Sequence, residues 1–150
     1  MGTDTQTTAA QQMLTIIESG EECPIATLIP LWEQLEPITA DEMIGMWHGG
    51  LFDGGKGPDP IRWYGKRFVS RTHVDPLMCR SKDGTTIYSY DKLGHAQLRE
   101  MTYNGVTSAA LIYDKRPIMD YFRKVTDDIV VGRGETKGTA DDLFFHLTRE

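Results

Sequence analysis

Residues 118–125 alternate polar and aromatic side chains, a pattern that can place chemistry on one face of a strand. The even positions include Asp120 and Phe122, and the odd positions include Tyr121 and Arg123. With Asp120 turned inward beside Phe122, the carboxyl is a candidate proton-transfer group. With Tyr121 and Arg123 turned inward, the phenol and guanidinium form a site for a carboxylate or phosphate. The sequence does not decide between these two orientations. A third alternative is an ordinary strand whose polar side chains are solvated and have no function in a site.

A second set of candidates lies between Asp59 and Ser70. Pro60 can open a short helix, in which Ile61, Tyr64 and Phe68 would share one side at spacings of three and four. We therefore predict a short helical lid over this segment. In such a lid, four side chains are candidate ligand contacts at a cavity mouth: Trp63, Tyr64, Lys66 and Phe68. The alternative interpretation is an ordinary surface lysine beside aromatic side chains that pack in the core.

The segment Gly45–Gly49 places a tryptophan between two glycines, each two residues away. Glycine removes side chains from the face that carries the indole, so another backbone or a ring can lie against it. We favour Trp47 as a tryptophan that closes the core, and keep it as a candidate ligand contact together with Phe122, Tyr121 and Arg123.

Titratable residues are the first candidates if the protein is an enzyme. General acid–base chemistry needs such groups beside a desolvated substrate, and we select Asp120, His48, Tyr113 and Lys66.

The histidines lack the paired spacing that is typical of a metal site. The four stand far apart, at His48, His73, His95 and His146. We therefore expect no metal, and no other cofactor is implied. His73 and Asp75 would share a face on a strand and could act as an acid–base pair.

Composition narrows the function classes. The 150 residues suffice for one domain, and the net charge of −6 argues against a nucleic-acid partner. No apolar run is long enough for a transmembrane segment, and no signal peptide is evident, so we expect a cytoplasmic protein. Cys23 and Cys79 are too few for a disulfide framework and are expected to be free thiols.

These side chains must be positioned by a helical arm and a set of strands. Apolar residues recur at helical spacing in residues 1–40, whereas residues 41–150 show short apolar runs separated by turn residues. The predicted strands, about eight in number, are 43–49, 76–81, 86–90, 96–103, 106–113, 118–125, 129–135 and 143–148. Short turns and the lack of helical crossovers favour one mainly β domain, an antiparallel meander or barrel.

Several segments together resemble the GXWXG family, small proteins in which a GXWXG segment precedes an uncharacterised C-terminal domain. The matching pieces are GMWHGG at 45–50, RWYGKRF at 62–68, VDPL at 74–77 and ALIYDKRPIMDYFRKV at 110–125. One segment departs from the pattern of the family. The family pattern leads us to expect a methionine and an aspartate where this chain has Arg133-Gly134-Glu135.

The resemblance implies a lipocalin-like antiparallel β-barrel that binds lipids or other apolar molecules, and it implies no settled reaction. In lipocalins, a comparable tryptophan packs against an arginine from a late strand. By that similarity, Arg149 or Arg133 would stack on Trp47.

Two functions follow from these observations. The first is binding of a hydrophobic small molecule, a lipid or lipid-like metabolite, in the barrel cavity. The alternative is a cofactor-free isomerase, cyclase or hydratase that uses the same cavity. A barrel filled with side chains, serving as an interaction module, is a third possibility, and a homodimer is compatible with each.

Overall fold

The computed structural model describes residues 7–150 and contains an antiparallel sheet of nine strands that closes into a barrel. The strands are β1 (Gly45–Leu51), β2 (Trp63–Ser70), β3 (His73–Arg80), β4 (Ile87–Ser89), β5 (Ala96–Tyr103), β6 (Val106–Tyr113), β7 (Ile118–Thr126), β8 (Ile129–Thr136) and β9 (Leu143–Arg149). Their order is β2-β1-β9-β8-β7-β6-β5-β3, with β4 on the edge of β3, and pairing of β2 with β3 closes the circuit. The mainly β, lipocalin-like barrel predicted from the sequence is confirmed.

In the described part of the chain, three short helices precede the barrel: α1 (Ala9–Ser19), α2 (Ile25–Trp32) and α3 (Ala40–Met43). The first begins with a capping box in which Thr8 and Gln11 satisfy each other's backbone amides. Residues 1–6 of the predicted helical arm lie outside the described residues. Within residues 7–150, none of the helices has the length and apolar character needed to cross a membrane.

The predicted helical lid over residues 59–70 is wrong, because Trp63–Ser70 forms strand β2 between β1 and β3. The register of β2 against β3 shifts between Trp63 and Gly65 and again between Gly65 and Arg67. A bulge of this kind adds a residue and breaks the period of two. As a result, Trp63 and Lys66 both reach the barrel interior although they are three residues apart, a spacing that imitates a helix.

The structure has one core inside the barrel and another between the barrel and the helices. Phe122 belongs to the interior core, whereas Tyr121 and Val125 belong to the core beneath α1 and α2. Strand β7 therefore turns Asp120 and Phe122 inward and its odd-numbered side chains outward.

Arg123 lies on the outer face of β7 and fastens α2 to the barrel. Its guanidinium donates hydrogen bonds to the carbonyl oxygens of Trp32 (3.3 Å), Glu33 (2.7 Å) and Tyr103 (2.9 Å). It also lies 4.2 Å from the centre of the Trp32 ring. The orientation in which Tyr121 and Arg123 point into the cavity is therefore wrong, because backbone carbonyls of the helical arm already occupy the guanidinium.

Trp47 closes one end of the interior core, where it is fully buried. Its indole Nε1 donates to the carbonyl oxygen of Met43 at 2.8 Å. The guanidinium of Arg149 lies 4.3 Å from the centre of the indole ring. The predicted stacking of Arg149 on Trp47 is confirmed, while Arg133 stacks on Trp32 instead.

His146 on β9 is a partly buried histidine that packs against β1. The imidazole occupies the space that a side chain at Gly50 would need, and it meets the Phe52 ring edge to face at 5.0 Å. Burial lowers the pKa of His146 below its ordinary value of 6.5. Below pH 6.5 the unfolded chain binds a proton at this histidine more readily than the folded chain does, so the free energy of unfolding falls as the pH falls.

We expect the free energy of unfolding to decrease below pH 6.5, with a contribution from His146 of at most about 1.4 kcal/mol per pH unit. A His146→Gln variant should show a flatter dependence. Urea unfolding of both proteins between pH 5 and pH 7.5 measures this difference, and equal slopes would contradict the prediction.

Candidate functional site

The barrel encloses a cavity of about 360 Å³ with largely apolar walls. Leu51 and Leu143 are exposed and mark its mouth. The other lining residues are Asp59, Pro60, Ile61, Trp63, Lys66, Leu77, Tyr113, Ile118, Asp120, Gly134, Thr136 and Phe145. A concave apolar space with a few convergent polar groups is the usual form of a small-molecule site.

Three polar side chains meet in the wall of this cavity and form a closed network. The Lys66 ammonium lies 3.2 Å from Asp120 Oδ2 and donates to the Tyr113 hydroxyl at 2.9 Å. The Tyr113 hydroxyl donates to Asp120 Oδ2 at 3.1 Å. The ammonium also donates to the carbonyl oxygen of Pro76 at 3.3 Å. We refer to Lys66, Tyr113 and Asp120 as the polar triad.

The barrel brings the triad together from three strands. Lys66 comes from β2, Tyr113 from the last position of β6, and Asp120 from β7. Lys66 and Asp120 are almost completely buried. No local sequence pattern joins β2 to β7, so only closure of the barrel creates this cluster.

Burial sets the protonation behaviour of the triad. Desolvation lowers the pKa of Lys66, and the charge of Asp120 opposes that effect. Burial raises the pKa of Tyr113 well above its ordinary value, and Asp120 adds to the rise. The Lys66 ammonium also lies 5.0–5.6 Å from the centres of the Trp63, Tyr113 and Phe145 rings. The phenol thus stays protonated, beside an ammonium and carboxylate that offset each other.

Three of the four candidate catalytic residues form the triad, and the fourth does not join it. His48 is exposed on β1, where its ring packs at a tilt against the Tyr64 ring, with the ring centres 4.7 Å apart. The Tyr64 hydroxyl in turn bonds the Glu150 carboxylate, outside the cavity.

The other candidate ligand contacts are divided between the cavity wall and the protein interior. Trp63 lines the cavity. Trp47, Phe68 and Phe122 belong to the interior core and do not line it. Phe145, Leu77 and Ile118 line it without having been selected from the sequence. The inward alternation of β9 was a signal that could have identified Phe145.

Comparison with known proteins places these segments in a family. Residues 30–84 match the family described as GXWXG protein, and residues 94–149 match a domain of unknown function, DUF4334. The chain belongs to the GXWXG family. Lys66 lies in the GXWXG segment, whereas Tyr113 and Asp120 lie in the DUF4334 segment, so the triad joins the two.

The chain is also similar to a protein of solved structure. It is described as "Crystal structure of protein from Thermomonospora curvata" and is 53% identical to this chain, with a TM-score of 0.87. The match covers 95% of this chain and 98% of the other. No protein of curated function matches the chain.

Proposed function

We propose that this GXWXG protein binds a small lipid-like molecule in the barrel cavity, with a polar end group of the ligand against the triad. The observation that carries the proposal is an apolar cavity whose only buried charges, among the residues that line it, are Lys66 and Asp120. The walls supply favourable burial of apolar surface, and the triad supplies one oriented polar contact.

The charge balance of the triad favours an uncharged end group. Lys66 and Asp120 already form an ion pair, and the three donors of the ammonium have partners in Asp120, Tyr113 and Pro76. A carboxylate or ammonium on the ligand would add an unpaired charge to an apolar space, which costs several kcal/mol. A hydroxyl or carbonyl adds none and can exchange hydrogen bonds with the triad.

The size of the cavity favours a modest ligand. Its 360 Å³ is near the lower end of the range of about 300–1,000 Å³ for small-molecule sites. A short alkyl chain or a compact ring system fits this space, and a longer chain would extend past Leu51 and Leu143 at the mouth.

The proposal predicts a preference among ligands of equal chain length. We expect 1-decanol to bind at least about tenfold more tightly than decanoate or decylamine, because tenfold corresponds to about 1.4 kcal/mol and an unpaired charge costs more than that. Isothermal titration calorimetry at neutral pH measures the three affinities.

A matched pair of variants locates the binding. Leu143→Arg places a charge at the cavity mouth and should weaken 1-decanol binding, whereas Ile87→Arg makes the same change at another exposed site on β4. Equal effects of the two substitutions, or no binding of any alkyl probe, would contradict the proposal.

A second candidate function is general acid–base catalysis in the same cavity, as in a cofactor-free isomerase, cyclase or hydratase. The observation that favours it is the pair of opposite shifts, a lowered pKa for Lys66 and a raised pKa for Tyr113. Such divergence is typical of sites that hold an acid and a base together. Under this candidate, the Asp120→Asn variant would lose turnover but still retain bound ligand, which organic extraction and mass analysis of the purified variant would detect.

A further inference from the structure

A cluster of metal-ligand side chains lies on the outer surface of the barrel, away from the cavity. His73 and Asp75 project from β3, and His95 immediately precedes β5. One ligand atom from each residue lies within 4.8 Å of the others. We propose that His73, Asp75 and His95 bind a divalent transition-metal cation, with Zn²⁺ as the fitting ion.

The distances suit a single ion. Asp75 Oδ1 lies 2.9 Å from His73 Nε2 and 3.6 Å from His95 Nε2. Tetrahedral Zn²⁺ with bonds of about 2.0–2.1 Å holds its ligand atoms about 3.3 Å apart. The two observed distances lie on either side of that value, so small side-chain movements complete the coordination.

The donor set selects the class of metal. Two imidazoles and one carboxylate oxygen suit zinc and its neighbours, whereas Mg²⁺ and Ca²⁺ prefer sites made of oxygen. Three protein ligands leave a fourth position for water. Asp91, whose Oδ1 lies 3.0 Å from His95 Nε2, is a further carboxylate beside the cluster.

Arg67 holds the Asp75 carboxylate ready for an ion. The guanidinium contacts Oδ2, through Nε at 2.8 Å and through its terminal nitrogen at 2.6 Å. Oδ1 is thereby left for the imidazoles or a metal. Asp75 is 2% exposed although it lies outside the barrel, so its orientation is fixed by packing as well. Partners of this kind orient ligands in metal sites.

The position of the cluster gives the metal a structural consequence. β3 and β5 pair only at Val74 and Ala96, whereas β5 and β6 pair along their whole lengths. His73 and Asp75 flank Val74, and His95 precedes Ala96. An ion bound by the three residues would therefore fasten the barrel at its shortest strand pairing.

The test uses the untagged full chain after treatment with a chelator, with Zn²⁺ as the probe. Isothermal titration calorimetry should show saturable binding of one Zn²⁺ per chain. His73→Ala and His95→Ala should each weaken binding at least tenfold, the lower end of the loss caused by removing even a supporting residue. Both imidazoles are partly exposed, so these variants are expected to fold.

Two further measurements distinguish specific Zn²⁺ binding at the cluster from weak binding elsewhere on the surface. His48→Ala removes an exposed imidazole outside the cluster and should leave Zn²⁺ affinity unchanged. Zn²⁺ should also raise the unfolding temperature of the original protein and not that of His95→Ala. Absence of saturable binding, or binding that survives in both cluster variants, would overturn the proposal.

Discussion

Replacing Asp120 by asparagine is expected to lower the free energy of unfolding by about 3–5 kcal/mol. The substitution keeps the shape of the side chain and removes its charge, which leaves the Lys66 ammonium without its counterion. Lys66 is 3% exposed and faces a cavity with largely apolar walls, so water is a poor replacement for the lost charged partner. The protein must then bury an unpaired ammonium or release its proton, and both outcomes cost free energy.

The partner substitution should recover part of this loss. Lys66→Met removes the ammonium and fills similar space with an apolar chain. In the Asp120→Asn background it eliminates the unpaired charge, so the double variant should be more stable than Asp120→Asn alone. Replacement of both members of a buried ion pair is often close to neutral, whereas removal of one member is strongly destabilising.

Urea unfolding of the two single variants and the double variant at pH 7 measures the coupling. Asp127→Asn is the matched control, because Asp127 pairs with Lys124 at 3.7 Å while its side chain is 95% exposed. We expect no measurable change in that variant, since exposed ion pairs contribute little. Equal losses in Asp120→Asn and Asp127→Asn, or full additivity in the double variant, would show that the Lys66–Asp120 pair is not coupled as described.

The sequence predicted the alternation of β7 correctly but could not decide which face of the strand points inward. Alternation usually separates a buried face from a wet one. Here both faces are covered, since Phe122 packs inside the barrel and Tyr121 packs beneath the helices. What decides the orientation is the set of carbonyls that Arg123 meets in α2 and β5, and those contacts lie far away in the chain.

The two clusters of polar residues differ in what local sequence reveals. Asp120, Tyr113 and Lys66 were selected as titratable candidates, but their convergence depends on β2 being a strand. His73 and Asp75 share a strand face, as their spacing predicted, whereas His95 reaches them only because β5 pairs with β3 at Ala96. Spacing in sequence alone therefore gave no reason to expect a metal.

Gly65 is a residue that argues against the helix wrongly predicted over residues 59–70. Glycine in the middle of a helix is unfavourable by roughly 0.5–1 kcal/mol relative to alanine. In the barrel, the lack of a side chain at this position is required, because a Cβ at Gly65 would lie 1.9 Å from the carbonyl oxygen of Trp47 on β1. Backbone, not a flexible side chain, fills that space, so β1 and β2 can pair this closely only with glycine at this position.

Gly65→Ala is therefore expected to lower the free energy of unfolding by about 3 kcal/mol or more, because rotation of a side chain cannot relieve the overlap.

Gly55→Ala is the matched control. Gly55 has a φ of +74° and no atom near a built Cβ, so its replacement carries only the left-handed backbone penalty of about 1–2 kcal/mol. Urea unfolding compares the two variants. Displacement of β2 also moves the adjacent Lys66 away from Asp120, so any folded fraction of Gly65→Ala should bind 1-decanol more weakly than Gly55→Ala does. A Gly65→Ala protein as stable as Gly55→Ala would mean that β1 and β2 can separate at Trp47 without cost.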